Sequence, residues 1–336
     1  MFDRPPLTDD TIADLVRRGY GRGVLRISFL GLGRDAAAST FRADLDSGDR
    51  LFLKVRRRLD PARLEACAFL FEHNIEAIVA PLRTRSGELS IPIDGLYLVA
   101  YPYVNARPAA EVGLTDERWI EYGTVVGRVH LTRLPPELEA ALPHEAFAPG
   151  TLAGFDRIAA ALDRGEGRSN DADWTDLVAL WRVERTRMHE IAERTRALAS
   201  RLATRLAAAG NTPFVPCHGD VHTHNVLVDE GGALRVVDWD EIVMAPRERD
   251  LMFLLGSPIG LRRTDREMGL FIQGYGPLAV DAERLAYYHA EWAVQDFVGY
   301  ADEAVAEGAS PESRAKALAI LRSLFDPDGE AEVALA

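Results

Sequence analysis

The stretch that decides the fold is CHGDVHTHNVLVDEGGALRVVDWDE, residues 217–241. Three short apolar runs occupy or flank it, Phe214–Cys217, Asn225–Val228 and Ala233–Val237, and Asp229-Glu230-Gly231-Gly232 joins the last two as a hairpin turn. The loop between the first two runs carries Asp220 and, five residues on, Asn225; the third run ends on Asp238. A hairpin brings the end of its second strand back beside the start of its first, so Asp238 is expected next to Asn225. An amide carbonyl and a carboxylate at one place are hard oxygen ligands suited to Mg²⁺. A second carboxylate on the loop, Asp220, can orient an attacking hydroxyl, and phosphoryl transfer needs little more of a protein than such a carboxylate and such ligands. Met singly, these residues are turn formers and caps. Set between apolar strands, at the spacing of a kinase catalytic loop, they point to chemistry. Asp240 is a second acidic candidate, the weaker as a ligand because one carboxylate from this strand suffices.

Three histidines share the loop. His218, His222 and His224 raise a zinc reading, but the spacing lacks a helical His-x3-His frame with a general-base Glu, and Cys217 is the lone thiol nearby. The favoured reading has His218 supporting the loop backbone through its ring, with no role assigned to His222 and His224.

A triphosphate needs cationic and N–H donors. The basic residues here are almost all arginine, with lysine at Lys54 and Lys316 alone. Lys54 closes the strand Arg50–Val55 in Phe52-Leu53-Lys54-Val55, where a strand lysine reaches the α- and β-phosphates. The helix that follows, Pro61–His73, carries Glu65 as the expected partner of that lysine, with Glu72 as the alternative. Upstream, the turn Leu30–Ala37 contains Gly31, Gly33 and Asp35, whose backbone N–H groups are placed to cover phosphates. Two glycines in a turn are as often a plain hairpin, and no GxxxxGK[ST] occurs, which excludes a P-loop enzyme. Ala100, Tyr101 and Tyr103, in Val99–Tyr103, are candidates for the nucleobase edge and its wall.

Working outward, the first third reads as a small β-rich lobe: a helix from about Asp10 to Arg18 capped by Thr8 or Asp9, then strands Val24–Leu30, Ser39–Leu45 and Arg50–Val55, the helix at Pro61, and strands Gly87–Ile91 and Leu96–Tyr101. Pro102 and Pro108 break the pattern. From Thr115 onward the period is helical, with a long helix or helix pair from Asp173 to Ala208 ended by Gly210-Asn211, and further helices from near Arg247 to Phe325. The expected fold is α+β and protein-kinase-like, with an antiparallel-sheet nucleotide lobe at 1–101, a hinge at 102–110, a helical catalytic and acceptor lobe at 111–325, and a flexible tail at 326–336.

Composition narrows the partners. With 336 residues, 47% hydrophobic and 27% charged, the chain is ordinary for a two-lobe globular protein. A net charge of −13 disfavours nucleic acid and suits a cationic small molecule. No apolar run is long enough for a membrane span, and the start has no basic-then-apolar leader, so a cytoplasmic location is expected. Cys67 and Cys217 form no CxxC motif and read as buried thiols.

The pieces LFLKVRR (51–57), IVAPLRT (78–84), LVAYPYV (98–104), CHGDVHTHNVLV (217–228) and VVDWDEIVMAPRERDL (236–251) resemble the aminoglycoside phosphotransferase family, over about Arg22 to Asp296. The last is similar to the spectinomycin branch in particular. That resemblance implies a protein-kinase-like fold, ATP or GTP with Mg²⁺ as cofactors, and transfer to a hydroxyl of an aminoglycoside or aminocyclitol. It implies Asp220 as catalytic base, Asn225 and Asp238 as metal ligands, Lys54 as phosphate anchor and Glu65 as its partner. The glycine turn departs from a kinase G-x-G-x-x-G loop. Glu248, Glu291 and Asp296, with Tyr288 and Trp292 as walls, are candidates for the pocket of a cationic acceptor, and Asp250 for bracing the catalytic loop. The shared fold keeps other readings open: a choline, amino-acid or sugar kinase, a Ser/Thr protein kinase, or a nucleotide-binding pseudokinase scaffold. Oligomeric state is not assigned.

Overall fold

The computed structural model describes residues 7–31, 38–165, 172–209, 214–257, 259 and 263–336. Gly33 and Asp35 of the glycine turn, and the helix stop at Gly210-Asn211, lie outside the described residues.

Helix α1 (Asp9–Tyr20) begins where Thr8 accepts the Thr11 N–H and ends on Gly21 at φ 66°. Strands β1 (Val24–Phe29), β2 (Ala38–Leu45), β3 (Arg50–Arg56), β4 (Ile91–Ile93) and β5 (Leu96–Pro102) form an antiparallel sheet in the order β1-β2-β3-β5-β4. Burial alternates along β3: Leu51, Leu53 and Val55 join the core under α1, with Ile12, Val16 and Phe41. Period 2 therefore turns Lys54 to the opposite face, in register with Val99 of β5. The strand expected at Gly87–Ile91 starts later, at Ile91. Gly87 sits at φ 91° in a turn, and the tight turn that pairs β4 with β5 comes at Asp94-Gly95, both at positive φ.

Helix α2 (Pro61–Glu72) starts from an Asp60 cap. It is apolar on two sides: Leu64 and Ala68 pack with Val99, whereas Ala66, Cys67 and Leu70 enter the main core of the helical part. Glu65 and Glu72, seven residues apart, are left on its remaining face.

Strand β6 (Ala106–Pro108) leads through α3 (Ala109–Val112) to α4 (Asp116–Leu131), α5 (Pro136–Ala141), α6 (Thr151–Arg164) and α7 (Ala172–Ala209). The segment from Asp173 is thus one helix of 38 residues. Strands β7 (Val215–Cys217), β8 (Val226–Asp229), β9 (Leu234–Val236) and β10 (Val243–Ala245) follow, paired as β6-β8-β9 and β10-β7. Then come α8 (Glu248–Leu251), α9 (Asp265–Tyr275), α10 (Ala282–Ala304), α11 (Pro311–Ser323) and α12 (Glu330–Leu335). Two cores fill this part, one around Trp119, Tyr122, Val226, Phe253 and Phe271, the other around Phe155, Trp181, Ile191 and Phe297.

Helices α4 and α9 cross at backbone contact. A Cβ on Gly274 would lie 1.8 Å from the Ile120 carbonyl oxygen, and one on Gly123 would lie 2.0 Å from that of Phe271. Glycine is required at both, and the close crossing carries His130 and Tyr275 inward to a 2.8 Å hydrogen bond. The segment 326–336, expected as a flexible tail, is instead docked: Ala331 and Ala334 are buried and Arg194 of α7 donates to the Leu335 carbonyl. Small side chains let α12 lie flat, a signal that composition alone does not carry. Among the described residues no helix is long and apolar enough to cross a membrane.

Candidate active site

The loop 218–225 is held from below by one carboxylate. Asp250, fully buried on α8, accepts the His218 N–H through Oδ2 and the Gly219 N–H through Oδ1, both at 2.8 Å, and lies 3.0 Å from His130 Nε2. Burial works against its charge, but His130 and the two amides prevail and hold its carboxyl below the ordinary value. Asp250 therefore braces the loop. Gly219 turns at φ 85°, and a Cβ there would stand 2.5 Å from the Glu241 carbonyl oxygen, so no other residue lets the loop pass this close to the strand end.

His218 ties the loop to the strand that follows. Its Nδ1 accepts the Asp220 N–H at 3.2 Å, which puts the ring proton on Nε2, and Nε2 donates to the Val237 carbonyl at 3.0 Å. The ring lies 4.4 Å from that of Trp239. The next residue is Asp238, and the Val237 N–H bonds the Asn225 carbonyl at 3.0 Å. The hairpin thus sets Asp238 beside Asn225.

Asp220 accepts a hydrogen bond at Oδ2, while its buried Oδ1 accepts none among the described residues. Asn225 Nδ2 donates to its Oδ2 at 3.0 Å and to its carbonyl at 2.8 Å, and His222 Nε2 lies 3.2 Å from its Oδ1. Burial raises its pKa, but His222, His218 and Asn225 outweigh burial and leave the carboxyl below the usual range. It is a carboxylate at neutral pH.

Lys54 reaches across from β3. Its Nζ is 2.7 Å from Asp238 Oδ1 and 2.8 Å from Asp240 Oδ2, and Arg56 Nη1 is 2.8 Å from Asp240 Oδ1. Burial alone would discharge the lysine; the two carboxylates overcome it and raise its pKa. Asp240, caught between Lys54 and Arg56, is held low against its own burial. The expected Lys54–Glu65 pair is not formed. Glu65 pairs with Arg83 at 2.9 Å and Glu72 with the same arginine at 3.5 Å, because the apolar sides of α2 turn both glutamates that way. Asp240, the weaker candidate as a metal ligand, is instead paired with two cations, Lys54 and Arg56.

Tyr101 lies in β5 with Lys54 Nζ 5.9 Å from its ring centre. Ala100 is fully buried and its carbonyl accepts from the Leu82 N–H, and the Tyr103 N–H donates to the Arg50 carbonyl. Gly31 ends the described part of the glycine turn at φ 57°.

The acceptor candidates are corrected. Glu248, Tyr288 and Glu291 are 3%, 0% and 8% exposed. Glu248 accepts the Asp281 N–H at 2.9 Å, and Glu291 pairs with Arg249 at 3.2 Å. The Arg249 guanidinium stands over the rings of Tyr288 and Trp292, 5.6 and 5.8 Å from their centres. A cation is thus supplied from within, so these acids hold α10 to α8. Trp292 and Asp296 are partly buried on α10, and Trp292 meets Phe253 edge-on at 4.8 Å.

Comparison with known proteins follows the same lines. Residues 28–288 match the model of a family described as phosphotransferase enzymes. A spectinomycin phosphotransferase solved with ADP and spectinomycin superposes with a TM-score of 0.85 at 25% identity, covering 98% of each chain. Its AMP complex gives 0.82 at 25% identity, over 98% of this chain and 99% of that one. An amicoumacin kinase solved with AMP-PNP, Ca²⁺ and its antibiotic shares the fold, at 0.63 and 15% identity, over 96% and 95%. No curated protein sequence matches this chain.

Proposed function

The chain belongs to the phosphotransferase enzyme family, and from that premise we propose that it moves the γ-phosphate of ATP or GTP to a hydroxyl of a cationic aminocyclitol of the spectinomycin type. The observation that carries the reading is two hydrogen-bonded pairs, Asn225 with Asp220 and Lys54 with Asp238, set on neighbouring backbone by the Val237 N–H to Asn225 carbonyl bond.

The residues fit a hard divalent cation. Asn225 uses its amide N–H groups on Asp220, which leaves its carbonyl oxygen as the ligand atom. The Asp238 side chain is 42% exposed where that of Lys54 is 12%, so the carboxylate has an open side. Asn225 and Asp238 would hold Mg²⁺, which supplies charge neutralisation to the triphosphate. Lys54 adds a second positive charge, kept by Asp238 and Asp240.

In the transfer, the acceptor oxygen forms a bond to the γ-phosphorus as the bond to the β,γ-bridging oxygen breaks. The electron pair leaves with the nucleoside diphosphate, and the hydroxyl proton goes to Asp220. A cavity of about 590 Å³ supports the acceptor assignment. Leu254, Ser257, Asp265, Met268 and Glu332 line it, one residue beyond Phe253, whose ring meets His222 at 5.7 Å. Its charged lining is Asp265, Asp328 and Glu332 with one arginine, Arg263, so the acids outnumber the cation. The net charge of −13 favours the same partner.

Incubation with γ-labelled ATP, Mg²⁺ and a panel of aminocyclitols, aminoglycosides, choline and sugars tests the reading. Label on spectinomycin or a near relative is the expected result. Label confined to another acceptor class, or to none, overturns the aminocyclitol assignment.

A further inference from the structure

His222 lies in the catalytic loop without a part in the transfer described above, yet it is one of the more constrained side chains there. Its Nδ1 accepts the His224 N–H at 3.2 Å. A backbone amide can only donate, so Nδ1 carries the lone pair and the ring proton of the neutral form sits on Nε2. That nitrogen is 3.2 Å from Asp220 Oδ1. The tautomer that carries its N–H on the side of the carboxylate is therefore selected by the backbone two residues on. His218 obeys the same rule, with Nδ1 on the Asp220 amide and Nε2 on the Val237 carbonyl. Two rings with one construction serve two ends, the strand that carries Asp238 and the carboxylate of Asp220.

Packing keeps the ring in place. Phe253, fully buried, meets it edge-on at 5.7 Å and 77°, and the His224 ring meets it at 5.5 Å and 81°. The His222 carbonyl accepts the Asn225 N–H at 2.8 Å, so its backbone is held too. Asn225 Nδ2 donates to Oδ2 of Asp220, and the His222 Nε2–H stands 3.2 Å from Oδ1, which is buried and accepts no hydrogen bond among the described residues. A donor on one oxygen and a polar N–H against the other oppose rotation about the Cβ–Cγ bond, and a carboxylate with about four lone-pair sites keeps places for an incoming hydroxyl.

We infer that His222 is a positioning residue for phosphoryl transfer, which holds the Asp220 carboxylate in the orientation that receives the acceptor hydroxyl. The inference rests on the reading of Asp220 as the group that takes the hydroxyl proton. Its effect belongs to the transfer step, because a group that aligns a base contributes near the transition state and little to ground-state binding of nucleotide.

Three variants of the full chain separate the possibilities: His222→Phe, which keeps a planar ring without a donor, His222→Gln, which restores a donor, and Asp220→Asn. In steady-state assays with the acceptor found in the panel, His222→Phe is expected to lower kcat about 10- to 100-fold. Its KM for nucleotide and its Tm should stay near wild type, and His222→Gln should recover a large part of kcat. Wild-type kcat in His222→Phe beside an inactive Asp220→Asn overturns the inference alone. Equal losses in Phe and Gln variants, with a lowered Tm in both, overturn it in favour of a purely structural ring. Retained turnover in Asp220→Asn overturns the reading of Asp220 beneath it.

Discussion

Lys54 Nζ and Asp238 Oδ1 stand 2.7 Å apart although 184 residues separate them in the chain. The contact joins the face of a small antiparallel sheet to the end of a hairpin in the helical part, and Asp240 completes it at 2.8 Å. Lys54 is thereby kept charged by Asp238 and Asp240 despite its burial.

Replacing Lys54 with Met removes the cation and leaves two facing carboxylates. Turnover is expected to fall about 100-fold or more, by analogy with the removal of one preorganised electrostatic group. Glu65→Gln is the contrast: an exposed pair with Arg83 is worth about 1 kcal/mol or less, so its kcat should remain within about twofold of wild type. Initial rates at saturating nucleotide check both. A severe loss in Glu65→Gln would restore the helix glutamate as the working partner of the lysine.

Asp238→Ala should abolish activity that depends on divalent cation while leaving the fold intact, since the side chain is half exposed. Mn²⁺ binding in the presence of nucleotide, followed by paramagnetic resonance, should weaken sharply. Wild-type affinity would remove Asp238 from the ligand set.

Asp250 makes a pH prediction. Its folded-state carboxyl is held below the ordinary value despite burial, by His130 and by the His218 and Gly219 amides. A depressed carboxyl stabilises the fold above its unfolded value, about pH 4, and the contribution is lost as pH falls through the folded value. Thermal melts from neutral to acid pH should therefore show a steep acid limb. Asp250→Asn should lower Tm at pH 7 and flatten that limb, and an unchanged limb would assign acid sensitivity to other carboxylates.

Gly274→Ala tests the helix crossing. A Cβ would meet the Ile120 carbonyl at 1.8 Å, backbone against backbone, so α4 and α9 must separate. Denaturant unfolding should show a loss of about 1–3 kcal/mol or more. Activity should fall with it, because the same crossing carries His130 to Asp250. No change in midpoint would mean that the helices pack more loosely than described.

Much of the site was legible before folding. The hairpin turn Asp229–Gly232 and the Asp-x4-Asn spacing are local, so Asp238 beside Asn225 follows from strand geometry alone. Thr8 and Thr115 announce their helices because capping is a contact between near neighbours. His222 was seen as a loop residue without a role, and the signal that finds it, an amide two residues on facing Nδ1, is a matter of conformation rather than composition. The pairing of Lys54 was misread for another reason. A glutamate on the next helix is the nearest acid by fold analogy, but which face of α2 is apolar depends on what both sides of it meet.

The sequence by itself determined the phosphotransferase family and the α+β order of elements, with the loop and hairpin that carry Asp220, Asn225 and Asp238. It did so because spacing, turns and caps are short-range and repeat in any chain with the same local pattern. Tertiary structure alone decided the partners. Lys54 met Asp238 and Asp240, Glu248 and Glu291 were turned inward to tie α8 to α10, and the last eleven residues were docked by Ala331 and Ala334. Those outcomes depend on burial, and burial is set by surfaces far apart in the chain that compete for the same core.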